Sequence, residues 1–361
     1  MQKLKVKENG KKVKLGFYPY TYVRTAVMRS LLFNTDDYQK MLKMSFNEIA
    51  KFLQDSTYKN EINSLASKYS GAELLELALN QNLSSTYSKL LRISSPEMRE
   101  VVSEYLKRKD FDDIKTILRG KFTNSEEERV LKSLNGAGTL SMEFLAQLLK
   151  KESVEDIIKG SKIVKIEELK KEISEFRQSN NLAALENSLD RIYYSQMLSF
   201  SQRLSKQGQI FKNFLLKEVE TANILTIFRL KKANAGAEMI KNYLIFSGDK
   251  SKDRKIISLA SAENIESLSG QFQKTEFRDI IKKGMEEYDK NGSLITLEIG
   301  MQKHLLQQSV SLLHLNLLSV DVMLAYMFAK DIEARNLKIL IKGKELGLSE
   351  EFIESQLVMN K

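Results

Sequence analysis

The stretch Glu220-Thr-Ala-Asn223-Ile-Leu-Thr-Ile227-Phe228-Arg229-Leu-Lys231 decides the reading of this chain, because its outline occurs three times. An earlier copy runs Asp110-Phe-Asp-Asp113-Ile-Lys-Thr-Ile117-Leu118-Arg119-Gly-Lys121. A later one runs Glu333-Ala-Arg-Asn336-Leu-Lys-Ile-Leu340-Ile341-Lys342-Gly-Lys344. One rule covers all of them: an acid, two residues, Asp or Asn, Ile or Leu, two residues, Ile or Leu, a large apolar residue, Arg or Lys, one residue, Lys. Asp113, Asn223 and Asn336 stand 110 and 113 residues apart, the length of a small domain and far longer than a solenoid repeat. Three units of one design are expected.

Within each copy the apolar residues fall at i, i+3 and i+4: Ile114, Ile117, Leu118; Ile224, Ile227, Phe228; Leu337, Leu340, Ile341. That spacing makes a single stripe on an α-helix. Asp110, Glu220 and Glu333 come one turn before the stripe, where they are expected near helix starts or on the same face. Arg119 and Lys121, Arg229 and Lys231, and Lys342 and Lys344 follow it, with Gly120 and Gly343 as stop signals. Acid early and base late complements the helix dipole. Generic amphipathicity does not ask for Asp113, Asn223 and Asn336 beside the stripe.

Composition agrees with an all-α chain. Only two prolines and 16 glycines interrupt 361 residues, and strand-like alternation is short. The absence of cysteine removes disulfides, thiolate catalysis and thiolate zinc sites together. His304 and His314 are ten apart and do not share a helix face as a ligand pair. Lys and Arg outnumber Asp and Glu by 57 to 47, a formal charge of +10. The charges are interspersed except at the N-terminus, where Lys3, Lys5, Lys7, Lys11, Lys12 and Lys14 cluster. Those lysines precede no apolar core of a signal peptide. The most apolar region, 305–329, is interrupted by Gln307, Gln308, His314, Asn316 and Asp321, too often to span a bilayer.

A second element recurs in the same order. Ser45 with Glu48 forms a capping-box pattern before Ile49–Leu53, echoed at Ser141 and Ser261, each followed by another short apolar helix. Thr35 or Asp36 is the expected cap for a helix over Tyr38–Met44. Longer helices are expected over Gly71–Ile93, Met98–Arg108, Ala183–Gln207, Ile210–Lys232 and Gly292–Lys330. The resulting division is a polar extension, disordered, at 1–16, then helical units at 17–128, 129–240 and 241–361.

No dinucleotide fingerprint, P-loop, His-Glu-x-x-His or nucleophile elbow occurs. Asn135-Gly-Ala-Gly138-Thr139 could offer amides to an anion but lacks a reactive lysine. No catalytic, cofactor or metal site is expected. Nucleic-acid binding has charge in its favour, but tryptophan and aromatic–basic interleaving are missing. A helical adaptor or scaffold, or a basic protein that binds nucleic acid or a membrane surface, is the alternative reading.

The residues also resemble a known family, the C subunits of archaeal-type (A/V-type) rotary ATPases, whose counterparts in vacuolar proton pumps are the d subunits. Tyr22-x-Arg24-x-Ala26-x-Met28-x-Ser30, followed by Asp37-Tyr38 and Met44, is similar to its opening helices. Thr57-Tyr58-x-x-Glu61-Ile62 and Glu218-Val-Glu220-x-x-Asn223-Ile224 are similar to its next two signatures. Leu324-Ala-Tyr326-x-x-x-Lys330-x-Ile-Glu333-x-Arg335-Asn336-Leu337 resembles its closing one. Asp113 and Lys342 depart from the Asn and Arg of the pattern. The resemblance implies three similar helical domains arranged as a pseudo-threefold funnel or socket, without an active site or cofactor. It implies a place on the cytoplasmic face of the membrane, peripheral to it through the rotor ring of proteolipid subunits. There the socket would receive the foot of the axle, formed by the D and F subunits. It would thereby couple the catalytic A/B head to proton or sodium movement, with no nucleic acid involved. Arg119, Arg229 and Lys342, with Lys121, Lys231 and Lys344, are the expected basic rim toward the axle.

Overall fold

The computed structural model describes residues 12–315 and 318–359. Four helices open it: α1 (Pro19–Ser30), α2 (Thr35–Lys43), α3 (Phe46–Gln54) and α4 (Lys59–Leu65). Two long ones follow, α5 (Gly71–Ile93) and α6 (Pro96–Phe122). The short helices α7 (Glu127–Ser133), α8 (Met142–Leu149), α9 (Val154–Ser161) and α10 (Lys170–Ser179) lead to long α11 (Ala183–Ser201) and α12 (Gln209–Lys232). Next, α13 (Ala237–Tyr243), α14 (Lys250–Ala260), α15 (Ile265–Gly270) and α16 (Arg278–Asn291) lead to long α17 (Ile295–Leu315) and α18 (Val320–Glu345). Helix α19 (Glu350–Gln356) closes the chain. Among the described residues there is no strand, only an isolated bridge between Val13 and Leu204. The chain is all-α.

Local chemistry accounts for the ends of these helices. Pro19 and Pro96 stand at the first helical positions of α1 and α6, where no N–H is required. Asn34 with Asp37, and Ser45 with Glu48, form reciprocal capping boxes. The Asn34 box moves the start of α2 ahead of the expected Thr35 or Asp36 cap. Ser261 is not the cap expected there: its hydroxyl bonds back to the Ile257 carbonyl at the end of α14. Asp249 caps α14 and Asn264 caps α15 instead. The Gly292–Lys330 candidate divides into α17 and α18, with Ser319 capping the latter. The third-copy motif, 333–344, lies inside α18. The terminal extension needs a similar correction. Val13 and Leu15 are buried, and the Val13 N–H donates to the Arg203 carbonyl at 3.0 Å. Lys3, Lys5, Lys7 and Lys11 lie outside the described residues.

After each of α6, α12 and α18 one hydrogen-bonded substructure recurs. The helix ends in a Schellman turn whose left-handed residue is Asn124, Asn234 or Gly347. Its closing bonds run from Ser125 to Gly120, Ala235 to Leu230 and Leu348 to Gly343, each at 2.9 Å. A seven-residue helix follows in every case, α7, α13 or α19. Its inner residue is Val130, Ile240 or Ile353, each buried. Gly120 and Gly343 admit Val130 and Ile353 to close contact, since a Cβ at either glycine would overlap those side chains.

The six long helices touch in cyclic order: α5 packs on α6, α6 on α11, α11 on α12, α12 on α17, α17 on α18, and α18 back on α5. Helix α18 also touches α6 and α12, and Arg108 of α6 reaches Glu218 of α12 at 2.9 Å. Thus α6, α12 and α18 face one another, with α5, α11 and α17 between them. Their N-terminal halves share one apolar cluster, including Tyr105, Phe211, Leu215, Met323 and Met327. Farther along, the stripes part. Ile114, Ile117 and Leu118 pack under α7–α11, while Ile224, Ile227 and Phe228 pack with α13–α17. Leu337, Leu340 and Ile341 pack with α19 and, from the other end of the chain, α2–α5. Each fully buried stripe residue contributes about 1.5–3 kcal/mol over exposure. Every stripe therefore comes from one segment of the 17–128, 129–240 and 241–361 division, and most of its covering helices from the next.

Candidate interaction site

The Asp or Asn of each motif is spent inside the chain, not on a partner. Asn223 accepts from the Ile245 N–H and donates to the Ile245 carbonyl, both at 2.8 Å. Asn336 does the same to Val358, at 2.9 and 2.8 Å. Asp113 accepts from the N–H groups of Asn135 and Gly136, at 2.7 and 3.0 Å. All three tie the long helix to the chain leaving the seven-residue helix, 22 residues on. An amide meets a returning backbone with a donor and an acceptor; a carboxylate can only accept. Burial raises the Asp113 carboxyl to about 6, against the pull of the N–H donors of Asn135 and Gly136.

The acids do not mark helix starts. Asp110, Glu220 and Glu333 all lie well inside α6, α12 and α18, so the dipole argument does not apply to them. Asp110 is fully buried and accepts from the Thr139 and Leu140 N–H groups and the Thr139 hydroxyl, at 2.8, 2.9 and 2.6 Å. The amides of the 135–139 loop therefore serve the chain's own Asp113 and Asp110. Gly138 is needed there, because a Cβ would overlap the Asp110 carboxylate. Glu333 is buried with Lys330 at 2.7 Å, and accepts from the Tyr58 hydroxyl and the Phe33 N–H, each at 2.7 Å. Glu220 stays half-buried, 3.5 Å from Lys255. One sequence position thus serves two buried anchors and one surface pair.

The basic ends behave differently. Arg119, Arg229 and Lys342 are each more than half exposed. Arg119 holds Glu186 of α11 through two bonds at 2.6 and 2.9 Å, and Arg229 holds Glu298 of α17 at 2.8 Å. Lys342 pairs with Glu345 at 2.6 Å and lies 4.0 Å from Glu76 of α5. Each therefore reaches toward the next long helix around the ring. Lys231 is buried, Lys121 is half-buried, and Lys344 donates to the Leu42 carbonyl.

Arg108 and Asp331, not singled out in the sequence, complete the arrangement with Glu218 of the central signature. Arg108, Glu218 and Asp331 each stand five positions before the Asp or Asn of their motif. Arg108 pairs with Glu218, and Asp331 pairs with Lys109 of α6 at 2.9 Å. Burial pushes the Glu218 carboxyl up while Arg108 pulls it down. A cleft of about 260 Å³ opens beside this pair, lined by Asp112, Lys115, Thr226, Arg229, Gln302 and others from α6, α11, α12 and α17. Lys115 bridges Asp112 and Asp190, at 3.1 and 2.7 Å. On α18 the same register carries Arg335 and Lys338, the latter 3.4 Å from Asn135. Around these pairs α6, α12 and α18 are accordingly charged, with eight basic residues (108, 109, 115, 119, 229, 335, 338, 342) against three acids (112, 218, 331). Repeated register was the signal available in the sequence; mutual pairing was not, since it joins residues over 100 apart.

Among the described residues no group of His, Cys, Asp and Glu could hold a metal ion. None of the described helices is long and apolar enough to cross a membrane. His304 packs edge-on to Phe277, 3.4 Å from Glu276; the side chain of His314 lies outside the described residues.

Comparison with known proteins gives a consistent result. The model of the ATP synthase (C/AC39) subunit family matches residues 22–356. The A-type ATP synthase C subunit of Methanosarcina barkeri is 37% identical over 99% of this chain and 97% of its own. Its counterpart from Methanosarcina acetivorans is 36% identical over 98% and 96%. That of Halobacterium salinarum is 29% identical over 95% and 97%.

Proposed function

The chain belongs to the ATP synthase (C/AC39) subunit family, the C/d group of A/V-type ATPase subunits, and from that premise we propose that it is a non-catalytic central-stalk component. In this reading it is a funnel of three similar units that joins the rotor ring to the axle, the D and F subunits, on the cytoplasmic face. It passes torque between the catalytic head and proton or sodium movement. One observation carries the reading: six long helices close in a ring, with charged faces of three of them turned toward one another. Torque needs many contacts on packed, rigid elements. Helices α6, α12 and α18 meet this need, because the chain's last helix closes on its first ones. Arg119, Arg229 and Lys342 form the basic rim, and their ion pairs with the next long helix hold them in place for an acidic or polar axle foot.

Replacing all three by Ala tests it. Exposed pairs are worth about 0–1 kcal/mol each, so the variant folds, while recovery of axle subunits with the tagged chain from solubilised membranes falls. Full recovery of the axle by a folded triple variant contradicts the rim.

A further inference from the structure

Helix α1 presents an apolar face that none of the other described residues covers. Phe17, Tyr20, Val23, Val27 and Leu31 are each more than half exposed, and from Tyr20 onward they follow the i, i+3, i+7, i+11 spacing of one stripe. The opposite face is held down: Thr21 and Thr25 are buried, and the Thr21 hydroxyl donates to the Ile93 carbonyl at the end of α5, at 3.0 Å. The stripe is therefore a fixed feature of the folded chain.

Charge identifies what would cover it. Residues 9–35 contain Lys11, Lys12, Lys14, Arg24 and Arg29 and, after Glu8, no acid until Asp36. Arg24 and Arg29 are exposed, and neither enters an ion pair among the described residues; Arg24 lies over the Tyr20 ring at 5.9 Å. Beyond Leu31 the surface continues into a pocket of about 290 Å³ lined by Met28, Leu32, Lys89 and Arg92. Lys89 and Arg92 are likewise without an ion pair among the described residues. The pocket's acid, Glu61, accepts from Asn82 at 3.1 Å. Protein–protein interfaces have cores depleted of charge. An apolar stripe with aromatic residues at one end and basic residues along its flank suits the boundary of an anionic bilayer.

We propose that α1, with the end of α5, binds an anionic lipid surface directly, its stripe entering the headgroup boundary and its arginines meeting lipid phosphates. This does not rest on the axle reading, since Arg119, Arg229 and Lys342 lie on other helices.

The test is co-sedimentation of the full chain with vesicles of phosphatidylcholine alone and of equal parts phosphatidylcholine and phosphatidylglycerol. The wild type is expected to sediment with the mixed vesicles only, less so as salt rises. Arg24→Gln/Arg29→Gln should weaken binding about fivefold per arginine, and Val23→Glu/Val27→Glu should abolish it. Far-UV circular dichroism should stay unchanged for both variants, whose sites are exposed. Absence of binding to the mixed vesicles at low salt overturns the proposal, as does binding that neither variant weakens. Loss of rotor-ring assembly in the variants without any wild-type lipid binding also overturns it, and assigns the stripe to a protein.

Discussion

Asp113 carries a proton-linked cost that Asn223 and Asn336 avoid. Its carboxyl is raised from 3.8 to about 6 by burial, so the folded chain holds that proton more tightly than the unfolded one. Its contribution to stability is full below about pH 4 and is lost as pH rises through about 6. Asp113→Asn cannot titrate. Relative to wild type, the variant should gain on the order of 3 kcal/mol between about pH 4 and pH 7, at about 1.4 kcal/mol per unit. Denaturant unfolding at the two pH values measures this, and a constant difference between the proteins contradicts it. The sequence showed that this position matters, but not why. Its bonding partners lie beyond a turn and a short helix whose return path is invisible to helical periodicity.

At the scale of elements, the recurring device is a long helix, a Schellman turn, a seven-residue helix and a returning backbone clamped by Asp or Asn. If the clamp is one device, Asn223→Ala and Asn336→Ala should cost similar amounts. Each strands one buried N–H and one carbonyl, for about 1–3 kcal/mol, and thermal unfolding of the two variants reads the comparison. A loss at one site and none at the other contradicts a shared role. The stripes and several caps were legible, because spacing and capping chemistry are local: Gly71–Ile93 is a helix as expected, and Ser45 with Glu48 forms its box. Ser261 misled because a Ser with a nearby Glu also fits a helix end, where its hydroxyl bonds back to the preceding turn. Asp110, Glu220 and Glu333 are not near helix starts, because their helices begin more than two turns earlier than the motif; they stand on the alternative expected, the stripe's face one turn before it. The Asn135–Thr139 loop donates amides, as its glycines suggest, and its anions are Asp110 and Asp113.

For the whole molecule, the closing contact is between α18 with α19 and α2 with α5. It joins the chain's two ends and makes the ring of long helices continuous. Nothing in local sequence announces that contact; only the threefold recurrence hints at it. Closure also leaves a cleft with charged walls from α6, α11 and α12, to which α18 contributes Phe328 and α12 also Thr226. The proposal that the basic rim, whose Arg229 borders this cleft, meets the axle is tested most directly by photo-cross-linking in the assembled complex. A photoreactive residue at Thr226 should capture an axle subunit, while one at the exposed Lys171 of α10 should not. Capture of the axle from Lys171 and not from Thr226, or of no axle subunit from Thr226, would contradict the account.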